Sequence, residues 1–211
     1  MKYKHIIFDF DGVLIESNKI RSEGFQLLFE DYPKEQVERL LCFVKRNGGL
    51  SRYDKIRYFF EQVRNEIISE SSVRSLAGRY SELVKDRIIH VDPVKGALNF
   101  LSKYQRIYDF AIVSGSDQEE LREVSKFRKI KHFFSEILGS PASKESNVSE
   151  LITKGWKAES CIFVGDSVND LKAARSYGID FIGRNSDFSD WHLEKNIIVI
   201  SDLTELHLHL I

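Results

Sequence analysis

The sequence has few cysteines and no excess of either charge. Its 211 residues include two cysteines, and 31 basic side chains stand against 32 acidic ones. Cys42 lies in a predicted helix and Cys161 inside the apolar run CIFV, so we expect two buried free thiols in a reducing compartment. The basic residues are diluted by acidic ones along the whole chain, so we expect no nucleic-acid partner.

A long hydrophobic run is also missing near the beginning of the chain. The apolar stretch before the first aspartate, Asp9, is only the four residues HIIF, which is too short for a signal peptide or a membrane span. We therefore expect a soluble cytoplasmic protein without a membrane partner. The length suffices for one compact core with an inserted unit.

Short apolar runs, several of them with β-branched residues, recur along the chain and alternate with helical segments. They cover residues 5–8, 108–113, 135–138, 161–164, 180–183 and 197–200. This alternation is typical of βα repeats around a parallel sheet, and fully apolar strands imply helices on both faces. We therefore predict an α/β fold with a doubly wound parallel sheet.

Two helical segments have recognisable beginnings. Ser116 precedes DQEELREVSKF, and Glu119 follows at the third helical position, which is the pattern of a capping box. Ser167 precedes VNDLKAARSYG, a segment that Gly178 closes. We predict that both serines cap helices.

About ninety residues separate the first predicted strand from the second, far more than an ordinary crossover needs. Apolar residues recur there at spacings of three and four in four stretches, residues 18–32, 34–46, 52–68 and 70–89. We predict a helical cap domain at residues 16–88, inserted into a core domain of residues 1–15 and 89–211. The hinges are expected near Ile15–Ser17 and Ile88–Val91.

Two carboxylates stand one residue apart at the end of the first predicted strand. Side chains at positions i and i+2 of an extended chain point to the same side, so the carboxylates of Asp9 and Asp11 can contact the same ligand. Like charges that close repel, and they are tolerated only with a cation or with one of them protonated.

Later strands deliver further polar residues to the same edge, where parallel α/β sheets bind their ligands. Ser114 and Gly115 lead into a helix N-terminus, which favours an anion. Lys144 follows the third strand, and Asp166 and Asp170 follow the fourth. Acidic, hydroxyl and cationic groups at one sheet edge predict a metal and phosphate site.

The motifs FDFDGVL, VSGS, a lysine and FVGDSVND occur in this order. Together they resemble the haloacid dehalogenase-like hydrolase superfamily, whose pattern is DxDG(V/T), Ser or Thr, Lys and GDxxxD. The resemblance covers the whole core and implies a Rossmann-like fold. The helical segment after the first motif is similar to the cap of the phosphoglycolate phosphatase and β-phosphoglucomutase branches.

The resemblance also implies a role for each residue. Asp9 would be the nucleophile that forms an aspartyl phosphate, and Asp11 would protonate the leaving alkoxide and later deprotonate water. Mg²⁺ would be held by Asp9, the backbone carbonyl of Asp11 and Asp166.

The remaining motif residues would act on the phosphoryl group and on their neighbours. The resemblance implies that Ser114, the amide of Gly115 and Lys144 bind phosphoryl oxygens. Asp170 would orient Lys144 or a water molecule on the metal.

Asp11 argues for phosphoryl transfer, because the dehalogenases of this family lack an acid there. The predicted enzyme is a magnesium-dependent phosphatase for a small phosphorylated metabolite, either a sugar phosphate or a short phosphorylated hydroxy acid. The alternative is a phosphosugar mutase, because NGGLSRYDKI at residues 47–56 resembles the mutase cap loop, in which Arg52 would grip a distal phosphate. The mutases carry His where this chain has Arg21, and Arg52 could equally bind an anionic group in a phosphatase.

Overall fold

The computed structural model describes residues 2–186, 191, 194 and 196–210. Its β-strands are β1 (His5–Phe8), β2 (Asp109–Asp117), β3 (Phe134–Ser140), β4 (Cys161–Gly165), β5 (Asp180–Arg184) and β6 (Ile198–Ile200). They form a parallel six-stranded sheet in the order β3-β2-β1-β4-β5-β6. The predicted doubly wound α/β fold is confirmed, and each predicted apolar run falls on one of these strands.

The sheet is buried on both faces. In β1, Ile6 and Phe8 belong to one hydrophobic core, whereas Ile7 packs with Val113 and Phe163 into a second core on the other face. Because alternate residues of a strand point to opposite faces, a strand between two cores must be apolar throughout. That requirement explains why the strands appear in the sequence as uninterrupted apolar runs.

The α-helices among the described residues are α1 (Asn18–Leu28), α2 (Lys34–Arg46), α3 (Arg52–Tyr58), α4 (Glu70–His90), α5 (Ala97–Tyr104), α6 (Gln118–Phe127), α7 (Lys144–Thr153) and α8 (Val168–Ser176). We call α1 to α4 the cap helices. A π-helix at Phe59–Arg64 continues α3, and Asn65, with a φ of 61°, ends it. Within the described part of the chain, no helix is both long enough and apolar enough to span a membrane.

One of the two predicted helix caps is confirmed and the other is wrong. Ser167 caps α8 in a capping box with Asp170. Ser116 does not cap α6, because β2 continues for one more residue and Asp117 accepts hydrogen bonds from the second and third N–H groups of the helix. The Ser116 hydroxyl donates instead to Asp11.

Both cysteines are free, as predicted, but only one of them is buried. Cys161 lies in the interior strand β4, whereas Cys42 is exposed. The prediction of a buried Cys42 was wrong because α2 buries the face that carries Val37, Leu40 and Val44, and Cys42 lies outside that face.

The chain leaves the core and returns to it at adjacent points. Ile15 forms an antiparallel bridge with Pro93, and the N–H of Glu16 donates to the carbonyl of Asp92 at 3.0 Å. The last cap helix continues to His90, two residues past the predicted boundary at residue 88. The two connections therefore lie side by side.

The cap helices α1 and α4 are in close contact at Gly24. A Cβ atom at this buried position would lie 2.3 Å from Val84 Cγ1 and 2.9 Å from Tyr80 Cε2. Since real Cβ atoms do not make such contacts, the spacing of α1 and α4 depends on the missing side chain.

We expect Gly24→Ala to lower the free energy of unfolding by roughly 1–3 kcal/mol, because overpacking outweighs the higher helix propensity of alanine. Gly78→Ala is the matched control, because Gly78 also lies in a cap helix and a Cβ there would have no neighbour within 4 Å. That control should be neutral or stabilising by up to about 1 kcal/mol. Urea unfolding followed by circular dichroism measures both, and equal stability of the two variants would contradict the prediction.

Candidate active site

The carboxyl edge of the sheet forms one wall of a cavity. Asp9 and Asp11 follow β1 directly, Ser114 and Gly115 lie near the end of β2, and Asp166 follows β4. All five residues line the cavity, whose other wall comes from the cap helices and the loop at residues 47–51. The fold thus brings together the polar residues that the sequence places at separate strand ends.

Three buried carboxylates form a cluster at this edge. Asp9, Asp166 and Asp170 can each offer one oxygen such that all three atoms lie within 4.8 Å of one another. Burial, followed by repulsion from Asp170, raises the pKa values of both Asp9 and Asp166 above their ordinary range. Oxygen ligands that repel one another at this distance are suited to a divalent cation.

Lys144 provides positive charge next to this cluster. Its Nζ lies 2.9 Å from Asp9 Oδ2 and also pairs with Asp170. Burial alone would lower the pKa of Lys144, but the two carboxylates raise it above its ordinary value, so the side chain is protonated. The other oxygen of Asp170 accepts from the Ser167 hydroxyl at 2.6 Å, which fixes the carboxylate.

Asp11 is held by three donors. Arg21 Nε lies 2.9 Å from its Oδ1, and the hydroxyls of Ser17 and Ser116 donate at 2.5 Å to Oδ1 and Oδ2. Burial raises the pKa of Asp11, but the Arg21 charge and these hydrogen bonds outweigh it and bring the pKa below its ordinary value. The contacts therefore favour the carboxylate form of Asp11.

Glu120 on α6 joins the core to two arginines of the cap helices. Arg21 Nη1 donates to Glu120 Oε1 at 2.5 Å, and both Nη atoms of Arg52 donate to its carboxylate at 2.8 Å. Arg52 also donates to the Ser81 hydroxyl. Arg52 lines the cavity, but Glu120 already binds its guanidinium. The expected contact between Arg52 and an anionic group of the substrate stays a prediction.

The loop at residues 47–51 lies directly against the carboxyl edge of the sheet. Asn169 Nδ2 donates to the carbonyl of Gly48 at 2.6 Å. A Cβ atom at Gly115 would lie 2.2 Å from the carbonyl oxygen of Gly49, and one at Gly49, whose φ is +75°, would lie 2.8 Å from Lys144 Nζ. Two glycines therefore allow the loop to approach so closely.

Several residues of the site were not found by sequence reasoning. Asn18 donates to Asp166 Oδ2 at 2.6 Å, and Glu120, Lys55 and Ser116 also belong to the site. Asn18, Glu120 and Ser116 have partners that are distant in sequence, and Lys55 reaches the cavity only through the packing of α3, so no local pattern marks these residues. Arg21 alone carries a signal, because it stands where the mutases have His.

A comparison with protein families identifies the chain. Residues 6–184, from β1 to the end of β5, match the haloacid dehalogenase-like hydrolase family. The chain belongs to this family. The resemblance carried by the four motifs is confirmed, and so is the prediction that the protein is a hydrolase.

Individual relatives of this haloacid dehalogenase-like hydrolase span almost its whole length. A phosphoglycolate phosphatase of Aliivibrio fischeri is 28% identical over 189 residues, which is 83% of this chain and 81% of the relative. A crystal structure of a predicted phosphoglycolate phosphatase from Haemophilus somnus shares the fold with a TM-score of 0.77 at 18% identity, covering 99% and 98% of the two chains. The magnesium-bound hydrolase YfnB of Bacillus subtilis superimposes with a TM-score of 0.72 at 19% identity, covering 100% and 99%.

We expect Gly115→Ala to reduce kcat/KM about 10- to 100-fold, because the methyl group would push the loop at residues 47–51 away from the cavity. The backbone N–H of residue 115 is retained, so the loss would report the clash itself. Gly78→Ala is the control and should leave kcat/KM unchanged. Full activity of Gly115→Ala in a phosphate-release assay would show that the close contact is not needed.

We expect Glu120→Gln to lower the free energy of unfolding at neutral pH by about 3–5 kcal/mol, because it leaves buried arginine charge uncompensated. The pKa of Glu120 is held well below its ordinary value of 4.5, since Arg21 and Arg52 outweigh burial. Its contribution is therefore complete above pH 4.5 and is lost as the pH falls below it. Glu119→Gln, at an exposed neighbouring position, is the control.

Denaturant unfolding at neutral pH and below pH 4.5 measures this difference for each variant against the unmodified protein. The difference in free energy of unfolding between Glu120→Gln and the unmodified protein should become smaller in acid. The same difference for Glu119→Gln should stay within about 0.5 kcal/mol at both pH values. If the difference in free energy of unfolding for Glu120→Gln is independent of pH, the charge of Glu120 does not contribute to stability.

Proposed function

We propose that the protein is a magnesium-dependent phosphatase that hydrolyses a small phosphomonoester through an aspartyl phosphate. The observation that carries this proposal is the buried pair of Asp9 and Lys144, which lies within a carboxylate cluster beside Ser114 and Gly115. One wall of the cavity thus offers a nucleophile, a fixed positive charge and donors for phosphoryl oxygens. The phosphatase among its relatives supports the same reaction.

In the first step, an oxygen of Asp9 attacks phosphorus and the bond from phosphorus to the leaving oxygen breaks. The Ser114 hydroxyl, the Gly115 amide and the Lys144 ammonium bind the phosphoryl oxygens as negative charge moves onto the leaving group. Burial raises the pKa of Asp9, and the charge of Lys144 opposes this effect and so favours the ionised form that attack requires.

Asp11 transfers the proton in each of the two steps. Because its contacts favour the carboxylate, Asp11 takes up the proton that a singly protonated phosphate ester brings and passes it to the departing alkoxide. Arg21 favours this transfer by stabilising the carboxylate that results. In the second step that carboxylate takes a proton from the water that attacks the aspartyl phosphate. Hydrolysis then regenerates Asp9 and releases inorganic phosphate.

The residues present fit Mg²⁺, a hard cation that prefers oxygen ligands. Asp9, Asp166 and the backbone carbonyl of Asp11 would hold it, and Asn18 orients the Asp166 carboxylate. When bound, Mg²⁺ supplies the charge that neutralises the carboxylates and polarises the phosphoryl group. Asp170 is engaged by Lys144 and Ser167, which supports its expected role in orienting the lysine.

The substrate we favour is a short phosphorylated hydroxy acid such as phosphoglycolate, the compound in the name of the Aliivibrio fischeri relative. The mutase alternative is not favoured, because that relative is a phosphatase. In addition, Glu120 occupies the Arg52 guanidinium that a mutase would use for a distal phosphate.

We further propose that residues 16–88 form a cap domain that opens and closes over the core. The adjacent chain connections at Ile15 and Pro93 support this division, because two neighbouring strands of chain can act as one hinge. Interdomain movement is described for the magnesium-bound YfnB of Bacillus subtilis. The free thiols of Cys42 and Cys161 support a cytoplasmic location.

We expect Asp9→Asn to reduce phosphate release ~1,000-fold or more, because the amide cannot act as the nucleophile. Removing divalent cations with a chelator should abolish release, and added Mg²⁺ should restore it. Asp86→Asn, at a fully exposed position on α4, is the matched control and should keep full activity. The measurement is inorganic phosphate released from a panel of phosphorylated hydroxy acids and sugars.

Two results would contradict the proposal. Release that continues with Asp9→Asn or with chelator would remove the aspartyl phosphate or the metal from the mechanism. If a bisphosphate phosphorylates Asp9 but no monoester releases phosphate, the enzyme is a mutase instead.

A further inference from the structure

Lys55 on α3 is a buried cation that faces the cavity without a counter-ion among the described residues. The residue is 9% exposed and lines the cavity together with Asp11 and Tyr80. Its ammonium group makes no hydrogen bond or ion pair with any residue that the structure describes. The ammonium group lies over the ring of Phe25, whose centroid is 5.8 Å from Nζ.

The other cations on the cap side of the cavity are already paired. Arg21 binds Asp11 and Glu120, and Arg52 binds Glu120 through both Nη atoms. Three cations therefore share two carboxylates, and one positive charge is left over. The geometry places this charge on Lys55, because the two arginines use the carboxylates directly.

An unpaired buried charge is costly, and proteins retain one mainly where a ligand compensates it. Burial lowers the pKa of Lys55 to about 8, so at neutral pH the side chain is still mostly protonated. An anion in the cavity would pair with the ammonium group and stabilise its charged form. Nothing in the reaction proposed above uses Lys55, since the phosphoryl group is bound by the core wall.

We propose that Lys55 selects substrates by binding a carboxylate on the leaving group of the phosphomonoester. This inference rests on the phosphatase proposed above and names the class of its substrate. A carboxylate carries the single charge that Lys55 leaves unbalanced, whereas a second phosphate would bring up to two charges to one ammonium group. Lys55 is therefore a specificity-determining residue, and the chemistry at Asp9 is independent of it.

The test compares two esters that differ in that group alone, 2-phosphoglycolate and 2-hydroxyethyl phosphate, as substrates of the unmodified enzyme and of three variants. Lys55→Met removes the charge at similar volume, Lys55→Arg keeps it, and Lys34→Met changes an exposed lysine of α2 as control. We expect Lys55→Met to lower kcat/KM for 2-phosphoglycolate roughly 10- to 100-fold and for 2-hydroxyethyl phosphate less than about two-fold. Lys55→Arg should retain part of the preference, and Lys34→Met all of it.

A thermal unfolding curve separates specificity from folding. Lys55→Met should melt at the same or a higher temperature than the unmodified protein, because it removes an uncompensated buried charge. Binding of both esters to the inactive Asp9→Asn protein, measured by calorimetry, should show the same preference for the carboxylate and its loss with Lys55→Met.

Three results would overturn the assignment of Lys55. In the first, Lys55→Met lowers kcat/KM equally for both esters. In the second, the unmodified enzyme prefers 2-hydroxyethyl phosphate. In the third, Lys55→Met lowers the turnover of a bisphosphate more than that of 2-phosphoglycolate. In each of these cases Asp9-dependent release still establishes the phosphatase. If neither ester nor any other monoester is hydrolysed, the proposed function fails and the assignment of Lys55 fails with it.

Discussion

The ion pair between Lys144 and Asp9 is the interaction on which the candidate site depends. Asp9, Asp166 and Asp170 are buried at one edge of the sheet, where burial and repulsion from Asp170 raise the pKa values of Asp9 and Asp166. Lys144 contacts two of the three and is itself kept charged by them. The position of Lys144 at the first turn of α7 is therefore as important for the nucleophile as the strand end that carries Asp9.

A second buried network connects proton transfer with the position of the cap helices. Asp11 contacts Arg21 on α1, Arg21 contacts Glu120 on α6, and Glu120 contacts Arg52 on α3. Separation of α1 and α3 from α6 would break these pairs and expose Asp11 to a different set of donors. The proposed opening of the cap would therefore raise the pKa of Asp11, because it would remove the Arg21 charge that lowers it.

The features that could be predicted from the sequence are those that burial or a local pattern determines. The strands were recognisable because both sheet faces are covered, and Ser167 was recognisable because its capping box is local. Ser116 was misassigned because its hydroxyl has a partner 105 positions away. The pairing of Arg52 with Glu120 and the burial of Lys55 depend on how the cap helices fold back onto the core, which spacing along the chain does not encode.

The adjacency of the two chain connections has a consequence for how such enzymes diversify. Because the chain departs at Ile15 and returns beside it at Pro93, the intervening helices interrupt the core at a single point. If residues 16–88 form a cap domain as proposed, a change in its helices could leave the strand ends that carry Asp9 and Asp166 in place. The strand ends and the cap helices are thus joined by one pair of neighbouring peptide segments.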